Sequence, residues 1–378
     1  MAARSHTLIS KPGVRRSSAL ALTVLAAAAF VIPASAVVGG NPVPEGTHTF
    51  IAKIDVGNRE RTCTGALVDP FWVVTAKSCV AGTASGIVAT VGRTNVAQTS
   101  GTARDVQAVV PREDRDLALL RLKQPIMEIA PVKTGTATAG ETVQVPGYGH
   151  TTDAWTTEQL HQAAFAVDSA TTTGLAITGQ SKGLCRGDAG APLLNARNEI
   201  VGIGSTSWQG GCYGVSDTRT AATGSRLDNI GDWVKTHVNR TLMFKNVNSG
   251  RCLLHWSGNT ADGSPVQQFD CHAVYYDQAW ELKPVNGGFQ LRNGNSDRCI
   301  SARTPNDTYG TEVWAKDCAA DNTLQTWQVN KFPTGTQLRN VQTGLCLAVW
   351  HGTTYNGAPV TEQVCEPAYI DQVWTELP

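Results

Sequence analysis

Apolar residues form a single long run in this chain, ALALTVLAAAAFVI at residues 19–32, interrupted only by Thr23. Elsewhere they occur in short stretches separated by Gly, Thr and Asn, and few of them follow the 3.6-residue period of an amphipathic helix. One later segment, residues 226–238, does show helical spacing of its apolar positions, at Leu227, Ile230, Trp233 and Val234. The pattern predicts a mostly β protein of short strands and turns, with one helix in that later segment.

The apolar run has the setting of a cleaved secretory signal. Four basic residues precede it, Pro33 follows it, and the small-residue triplet Ala34-Ser35-Ala36 comes next. A membrane-spanning helix is the alternative, but such a helix needs about 20 apolar residues. No other segment is apolar enough to cross a bilayer. We therefore expect residues 1–36 to be removed and the mature chain to be secreted to the extracellular medium, without a membrane anchor.

Length and charge bound the remaining possibilities. The chain has 378 residues, of which 41% are hydrophobic, and this suits two domains that each bury a core. Its 31 basic and 31 acidic side chains cancel. Such a balance creates no positive field for nucleic acid or anionic lipid, so we expect neither as a partner. We also expect no cofactor.

The ten cysteines reveal a repeat in the last third of the chain. The last six form three evenly spaced pairs with a period of 47 residues: Cys252 with Cys271, Cys299 with Cys318, and Cys346 with Cys365. A Gln-x-Trp tripeptide recurs with the same period and ends at Trp280, Trp327 and Trp374. The even number suits a secreted disulfide framework. A zinc site is the disfavoured alternative, because close Cys-x-x-Cys spacing is missing from the sequence.

Residues 241–378 resemble the ricin-type β-trefoil lectins through these repeats. FKNVNSGRCL, LRNGNSDRCI and LRNVQTGLCL open the three units, and the Gln-x-Trp signature closes each. The resemblance implies a β-trefoil, in which three units pack around a pseudo-threefold axis because no unit can bury its apolar face alone. We expect the three signature tryptophans to be core residues rather than ligand contacts.

The same resemblance bears on carbohydrate binding. Each family pocket uses an acidic residue two positions after the first Cys, but these positions are Leu254, Ser301 and Ala348 here. The first repeat keeps supporting residues of a sugar site, and two tryptophans lie at equivalent places in repeats 1 and 3; these candidates are Gln267, Phe269, Asp277, Gln278, Trp256 and Trp350. Two interpretations stay open: a trefoil that binds a glycan or cell-surface polysaccharide, and one that is structural or contacts proteins.

Residues 37–240 resemble the trypsin-like serine proteases through motifs in the family's order. VVGG begins the segment, and CTGALVDPFWVVTAKSC, DLALLRL, GYG and CRGDAGAPLL follow it. The resemblance implies an antiparallel double β-barrel with a cleft between the barrels, and it implies the disulfides Cys63–Cys79 and Cys185–Cys212. Residues 226–238 fit the family's closing helix. The predicted fold is all-β, a trypsin-like double barrel followed by a β-trefoil of three 47-residue repeats.

Two of the three catalytic residues of that family are replaced. The carboxylate is present as Asp116, but Ser78 stands at the histidine position in TAKSC, and Ala189 stands at the serine position in GDAGAP. Acyl transfer needs a hydroxyl nucleophile and an imidazole base that the carboxylate orients. Loss of the nucleophile alone costs on the order of 10⁶-fold in kcat in a well-studied serine protease. No histidine is obviously placed to substitute, so we expect no peptidase activity.

Other parts of the family site are retained. If cleavage follows Ala36, the resemblance implies a salt bridge between the amino group of Val37 and the carboxylate of Asp188. It also implies an anion site of the oxyanion-hole type at the backbone N–H groups of Gly187 and Ala189. These features indicate that the cleft keeps its architecture after losing its chemistry.

The resemblance also assigns two residues of the substrate cleft. Gly183 lies at the base of the primary specificity pocket, where trypsins have an Asp, so no preference for Lys or Arg is implied. Trp208 corresponds to a cleft wall, although Gln209 follows it where the family has a Gly. We predict domains at residues 37–240 and 241–378 that abut, because HVNRTL between them has no Gly, Ser or Pro run.

Three functional hypotheses follow from these observations. The favoured one is a secreted, catalytically inactive protease homologue that binds a protein partner at its cleft, with the trefoil supplying attachment to a glycan or partner. The second is an active serine-type endopeptidase with a non-standard site that uses Ser78. The third is a carbohydrate-binding protein, argued from Trp256 and Trp350, whose first domain is a scaffold.

Overall fold

The protein is described by a computed structural model of residues 40–57, 59–82, 86–155, 159–180 and 183–377. The predicted signal, residues 1–36, and the predicted mature terminus Val37 lie outside the described residues, so both stay predictions. Short β-strands dominate the described chain, as the apolar pattern predicted. No helix in these ranges is long and apolar enough to cross a membrane.

The first half of the protease-like region is a closed antiparallel barrel. A short strand β1 (Asn41–Pro42) precedes its six strands, which are β2 (Ile51–Val56), β3 (Arg61–Asp69), β4 (Trp72–Thr75), β5 (Ile87–Val91), β6 (Thr102–Arg112) and β7 (Leu117–Leu122). β4 and β7 are buried along their whole length and pair with each other. Their sequences, WVVT and LALLRL, are nearly continuous apolar runs, as expected of strands covered on both faces. This pairing brings the TAKSC and DLALLRL motifs together.

A second six-stranded ring follows, because β8 pairs with both β9 and β11 and closes the path through the other strands. Its strands are β8 (Thr142–Gly147), β9 (His161–Ala170), β10 (Gly174–Gly179), β11 (Pro192–Leu194), β12 (Ile200–Ser207) and β13 (Ala221–Arg226). β1 joins this ring through β9. A separate apolar core fills it, including Val143, Val145, Phe165, Ile177 and Leu193. The predicted double β-barrel is confirmed.

Two short α-helices accompany the barrels, α1 (Lys77–Val80) and α2 (Gly231–His237). α2 is shorter than the predicted segment 226–238. Leu227 is buried and its N–H donates to the carbonyl of Val201 at 3.1 Å, so the residues before Gly231 still belong to the barrel's hydrogen-bonding pattern. The helical spacing of apolar residues therefore began before the helix itself.

The trefoil region contains fourteen strands, and its first strand pairs with its last. They are β14 (Arg240–Asn246), β15 (Cys252–Leu254), β16 (Ser264–Pro265), β17 (Gln267–Phe269), β18 (Trp280–Val285), β19 (Gly288–Asn293), β20 (Cys299–Ser301), β21 (Thr311–Glu312), β22 (Trp314–Lys316), β23 (Trp327–Phe332), β24 (Gly335–Asn340), β25 (Cys346–Val349), β26 (Val360–Gln363) and β27 (Trp374–Leu377). Four single 3₁₀ turns lie between them, at Tyr276–Gln278, Thr323–Gln325, Trp350–Gly352 and Ile370–Gln372.

The Gln-x-Trp signature has a structural explanation in each repeat. Trp280, Trp327 and Trp374 are completely buried. Each indole N–H donates to a strand carbonyl at 3.0 Å, so the ring fills the core without an unpaired donor. The glutamine two residues earlier bonds backbone groups at both ends of its amide, as Gln278 does with His272 and Asp270. The prediction that these tryptophans are core residues is confirmed.

All ten cysteines are paired. The five disulfides are Cys63–Cys79, Cys185–Cys212, Cys252–Cys271, Cys299–Cys318 and Cys346–Cys365. Each of the three in the trefoil joins residues 19 positions apart, at the same place in its repeat. A loop of that size restricts the unfolded chain and stabilises the fold by roughly 3 kcal/mol in the chain-entropy model.

Buried polar side chains connect the two regions. Arg121 on β7 donates to Glu281 on β18 at 3.0 Å, and only 11% and 4% of these side chains is exposed. Asn239 donates to the second carboxylate oxygen of Glu281 at 3.1 Å, and Thr241 donates to Asp69 at 3.4 Å. α2 ends only a few residues before β14 begins. The regions abut because the connecting residues themselves take part in the contact.

Replacing Glu281 with Ala is expected to destabilise the whole protein by about 3–5 kcal/mol. The change leaves the guanidinium of Arg121 buried without its carboxylate, and an uncompensated buried charge is costly. Urea unfolding of the purified protein measures this loss. Arg240→Ala is the control, since its ion pair with Glu376 is half-exposed on the arginine side and should contribute less than about 1 kcal/mol. Equal effects of the two changes would contradict this account.

Candidate functional site

Ser78 and Asp116 form a direct hydrogen-bonded pair. Ser78 lies in α1, and Asp116 lies in the turn between β6 and β7. The backbone N–H of Ser78 donates to Oδ1 of Asp116 at 2.7 Å, and the Ser78 hydroxyl donates to Oδ2 at 2.9 Å. Both oxygens of the Asp116 carboxylate therefore accept a hydrogen bond from Ser78. The hydroxyl proton of Ser78 points at Asp116.

Ser205 is a third member of this cluster, although it lies in none of the motifs identified in the sequence. Its hydroxyl donates to Oδ2 of Asp116 at 2.7 Å, from strand β12. Ser225 on β13 donates to the backbone carbonyl of the same aspartate at 2.8 Å. The second barrel thus fixes both the backbone and the carboxylate of Asp116. Each contact joins residues about a hundred positions apart, so nothing in the local sequence identifies them.

The loop that carries Ala189 is anchored to the first barrel through Thr64. The N–H of Thr64 donates to the carbonyl of Ala189 at 3.1 Å, and its hydroxyl donates to the carbonyl of Gly187 at 2.9 Å. Within the described part of the chain, no group accepts a hydrogen bond from the N–H of Gly187 or of Ala189. Both residues line the cleft between the barrels. Two unpaired donors are therefore available to an anionic or carbonyl oxygen there.

Asp188 is completely buried behind this loop. Its carboxylate accepts hydrogen bonds from the N–H of Gly149 at 2.8 Å and of Cys185 at 2.9 Å. Burial raises its pKa to about 7, although these two hydrogen bonds oppose the shift. A Cβ on Gly149 would stand 2.3 Å from the carboxyl carbon, so only glycine fits at that position. The predicted partner of Asp188, the amino group of Val37, is outside the described residues.

The cleft that contains Ser78, Gly187 and Ala189 has a volume of about 760 Å³. Its lining also includes His150, Trp155 and Arg186, none of which the sequence placed there. The His150 ring packs edge-on against Trp155 at 4.7 Å, and Trp155 in turn contacts Tyr213 at 5.4 Å. Burial lowers the pKa of His150, and the charge of Arg186 lowers it further. His150 is the only histidine of this lining.

Gly183 and Trp208 lie outside the lining of this cleft. The indole of Trp208 is 53% exposed, and the Arg219 guanidinium lies 3.3 Å from its ring centre. The pairing of β12 with β13 shifts its register between Gly204 and Thr206, upstream of Trp208. The strand residue that reaches Asp116 is then Ser205, and Trp208 lies beyond the end of β12. The N–H of Gly183 donates to the carbonyl of Gly210 at 3.1 Å. A Cβ added at Gly183 would approach Oγ of Ser207 at 3.1 Å and the backbone N of Gly210 at 3.2 Å.

Comparison with known families agrees with this geometry. Residues 37–234, more than half of the chain, match the trypsin family. The chain belongs to the trypsin family. Residues 240–374 match the ricin-type beta-trefoil lectin domain. The chain is thus a trypsin-family domain followed by a ricin-type lectin domain, as the sequence motifs predicted.

Individual relatives of this trypsin-family chain are distant. Serine protease SP24D of Anopheles gambiae is 28% identical over 193 residues, which cover 44% of this chain and 70% of that protein. Trypsin 5G1 of Aedes aegypti is 28% identical over 229 residues, covering 53% of this chain and 84% of that protein. A designed 3-fold symmetric protein, ThreeFoil, is 21% identical, with a TM-score of 0.35, over 36% of this chain and 98% of that structure.

The first repeat of the ricin-type lectin domain contains a pocket of about 230 Å³. Its lining residues are Leu254, Trp256, Ser257, Phe269, Tyr275, Asp277 and Gln278. Tyr275 and Ser257 are additions to the predicted set. Gln278 is buried, and its side-chain amide forms hydrogen bonds with backbone groups. Gln267 lies outside the lining, and its N–H₂ donates to the carbonyl of Gly357 at 3.2 Å. Both ends of the Gln278 amide are therefore occupied, and the Gln267 N–H₂ is engaged outside the pocket.

Trp350 lies in the third repeat and has a different setting from Trp256. Tyr309 and His351 contact its indole, with ring centres at 6.1 and 3.9 Å. The described residues contain no group of three His, Cys, Asp or Glu side chains that would hold a metal ion. The candidate binding residues of the lectin domain therefore divide between a pocket in repeat 1 and an aromatic cluster in repeat 3.

A trypsin-family chain that begins at Val37 is expected to be more stable at pH 8 than one extended by extra residues before Val37. The free amino group would pair with Asp188 and hold its carboxyl ionised. In the extended chain the buried Asp188 carboxyl has no such partner. Because burial raises its pKa to about 7, the free energy of unfolding falls as pH rises towards 7. We expect a difference of about 2–3 kcal/mol at pH 8 by urea unfolding, and a smaller one at pH 5. Asp188→Asn should abolish it, and equal stability of the two parent forms at pH 8 would refute the pairing.

Proposed function

We propose that this chain is a secreted, catalytically inactive trypsin homologue that binds a protein partner in the cleft between its barrels. The observation that carries the proposal is the hydrogen bond from the Ser78 hydroxyl to Asp116, at 2.9 Å. This bond uses the carboxylate that an active family member needs for its histidine. The mature chain begins after residue 36, with domains at residues 37–240 and 241–378.

Two chemical steps are missing from the proposed cleft. Ala189 offers a methyl group where acyl transfer needs an attacking oxygen, and Ser78 offers a hydroxyl where it needs a proton acceptor. An alcohol cannot hold the proton that an imidazole takes at neutral pH. His150 lines the same cleft, but its ring has no hydrogen bond to Asp116 among the described contacts. Without a nucleophile, an imidazole there has nothing to activate.

The cleft remains suited to binding. Gly187 and Ala189, whose N–H groups have no partner among the described residues, line a cleft of about 760 Å³ that can hold a peptide segment. Binding needs these donors and the shape of the cleft, whereas turnover also needs the replaced side chains. Basic side chains outnumber acidic ones in the lining; they are Lys53, Arg59, Arg61 and Arg186 against Asp55 and Glu60. A partner segment with acidic character fits this surface best.

Activity-based labelling tests the inactive assignment. We expect a fluorophosphonate probe to label no serine of the purified mature chain, and casein hydrolysis to stay at the rate of buffer. Bovine trypsin in the same buffer is the positive control. Labelling of Ser78, or proteolysis that co-purifies with the chain through successive columns, would establish the alternative, an endopeptidase with a non-standard site.

Partner capture tests the binding role. The full mature chain, immobilised and exposed to the surrounding culture medium or cell surface, should retain a defined protein. Ala189→Trp is the matched variant, because a bulky indole at this position fills the cleft while the residue stays outside the barrel strands. Loss of the retained protein with this variant supports binding at the cleft. Equal retention by the variant would place the partner elsewhere.

Carbohydrate binding by the lectin domain is the second candidate function. The ricin-type match favours it, and so does the indole of Trp256, which is 57% exposed beside the pocket of repeat 1. A glycan array probed with the full mature chain should show a saturable signal that Trp256→Ala removes. A signal that survives this change but disappears with Trp350→Ala would move the site to repeat 3. Silence on the array would leave protein contacts as the role of the domain.

A further inference from the structure

The pocket of repeat 1 is lined by three exposed aromatic rings and one carboxylate. Trp256, Phe269 and Tyr275 are 57%, 40% and 47% exposed. The ring of Tyr275 contacts that of His272 at 4.8 Å, and none of the three rings stacks on another within the described ring contacts. Gly258 lies against the indole of Trp256, where an added Cβ would approach Cζ2 at 2.7 Å. The backbone therefore supports the ring from outside the pocket.

Asp277 closes this pocket and lacks a cation. Oδ2 accepts the N–H of Ser257 at 3.2 Å, while Oδ1 is buried and has no hydrogen-bond partner. No Lys, Arg or His of the described residues forms an ion pair with this carboxylate. A partly buried carboxylate without a compensating charge is costly to maintain, and a bound cation would remove that cost.

The pocket offers few groups to a neutral sugar. Leu254 stands where a hydroxyl-binding carboxylate is expected, and the amide of Gln278 is used at both ends by the backbone. A polyhydroxylated ligand would lose its hydrogen bonds to water and could regain them only from Asp277, Ser257 and the polar tips of Trp256 and Tyr275. A cationic group without N–H or O–H donors makes no such donor hydrogen bonds to water and so has none to lose on binding.

Repeat 3 has a basic residue at the position equivalent to Ser257. Trp350, His351 and Asp371 lie two repeats after Trp256, Ser257 and Asp277. The His351 ring contacts the indole of Trp350 at 3.9 Å. Burial raises the pKa of Asp371, whereas backbone hydrogen bonds and the charge of His351 lower it. Repeat 1 has a small serine in place of this imidazole, so no basic side chain stands at this position beside Trp256.

We propose that the pocket formed by Trp256, Phe269, Tyr275 and Asp277 binds a methylated ammonium group of the choline type. Such a cation is attracted by the faces of several aromatic rings, and it is neutralised by the carboxylate. Its methyl groups fill the space between the rings without needing hydrogen bonds. This inference goes beyond the proposed cleft function and does not depend on it.

Calorimetric titration of the full mature chain tests the proposal with three matched small molecules. Choline is expected to bind saturably in the millimolar range or tighter. Its neutral isostere 3,3-dimethylbutan-1-ol should bind at least about tenfold more weakly because it lacks the charge, and ethanolamine should do the same because its ammonium is strongly hydrated and unmethylated. Equal affinity for choline and the neutral isostere, or no saturable binding of choline, overturns the proposal.

Variants locate the site. Asp277→Asn and Trp256→Ala should each weaken choline binding at least about tenfold, whereas the equivalent changes in repeat 3, Asp371→Asn and Trp350→Ala, should leave it unchanged. Thermal unfolding of each variant checks that the fold is intact. Phosphocholine and vesicles of phosphatidylcholine then distinguish a free ligand from a group carried on a larger molecule. If only the repeat 3 changes abolish choline binding, this pocket is rejected. If the chain binds a neutral sugar instead of choline and Trp256→Ala abolishes that binding, the result supports the carbohydrate role.

Discussion

The double variant Ser78→His/Ala189→Ser is expected to hydrolyse an activated ester that the parent chain leaves intact. The new imidazole would replace the hydroxyl that now bonds to Asp116, and Asp116 would keep the hydrogen bond from Ser205. The new hydroxyl would lie beside the unpaired N–H groups of Gly187 and its own residue, where an oxyanion can be stabilised. Nucleophile, base and carboxylate would then occupy one cleft.

The size of this gain decides how intact the cleft is. Nucleophile and base act as a unit, so each single change should give little, and the double variant should exceed either one by at least about 10²-fold in the rate of ester hydrolysis. Burst kinetics with p-nitrophenyl acetate measure both rate and site concentration. A folded double variant with no more activity than the parent would show that the cleft itself has lost its catalytic geometry. Activity from Ala189→Ser alone would reveal His150 as a usable base.

Glu362→Gln is expected to stabilise the protein strongly at alkaline pH. Glu362 is completely buried in the third repeat, where one oxygen accepts the hydroxyl of Thr343 at 2.6 Å. Its other oxygen is buried and has no hydrogen-bond partner among the described residues. Burial raises its pKa to about 8, the Thr343 hydrogen bond opposes this, and the nearby carboxyl of Asp307 raises it further. The carboxyl is therefore held in a site that disfavours its charge.

The first repeat shows what this site requires. Gln268 occupies the equivalent position, and its amide N–H₂ donates to the carbonyls of Thr353 and Tyr355, while its oxygen accepts the hydroxyl of Ser249. A donor is thus preferred at one end of the side chain and an acceptor at the other. An ionised carboxylate supplies two acceptors, whereas a protonated carboxyl or an amide supplies one of each.

The pH dependence has a definite sign. The pKa of Glu362 in the folded protein, about 8, lies above its unfolded value near 4.5. Between these values folding takes up a proton, so its contribution to stability is fully present below about pH 4.5 and is lost as pH rises to about 8. The amide variant avoids this loss and should exceed the parent by on the order of 2–4 kcal/mol at pH 8.5, with the difference shrinking towards pH 5.

Urea unfolding of both proteins across this pH range measures the effect. Two other buried carboxyls, Asp69 and Asp188, also have raised pKa values. Their contributions to the pH dependence of stability are the same in parent and variant, so they cancel in the difference. Gln268→Glu is the reciprocal control and should make the first repeat pH-sensitive in the same direction. A stability difference between Glu362→Gln and the parent that does not change with pH would contradict the assignment.

The sequence by itself determined the architecture and which side chains stand at the positions of the family's catalytic residues. Periodic cysteines and Gln-x-Trp tripeptides predicted three trefoil repeats, because each repeat must bury the same tryptophan and close the same loop. The ordered motifs predicted the two barrels through the resemblance to the trypsin family. The replacements at Ser78 and Ala189 are visible as letters, and side-chain identity alone limits which reactions are possible.

Only the tertiary structure decided which other residues surround these positions. Ser205 reaches Asp116 across 89 residues, and Arg121 reaches Glu281 across 160, and neither pairing leaves a local signal. His150 and Trp155 line the cleft, although no motif places them there. Burial also made Asp277 and Glu362 carboxyls with raised pKa values. These properties arise from close packing between distant strands, which a pattern of apolar and polar positions does not encode.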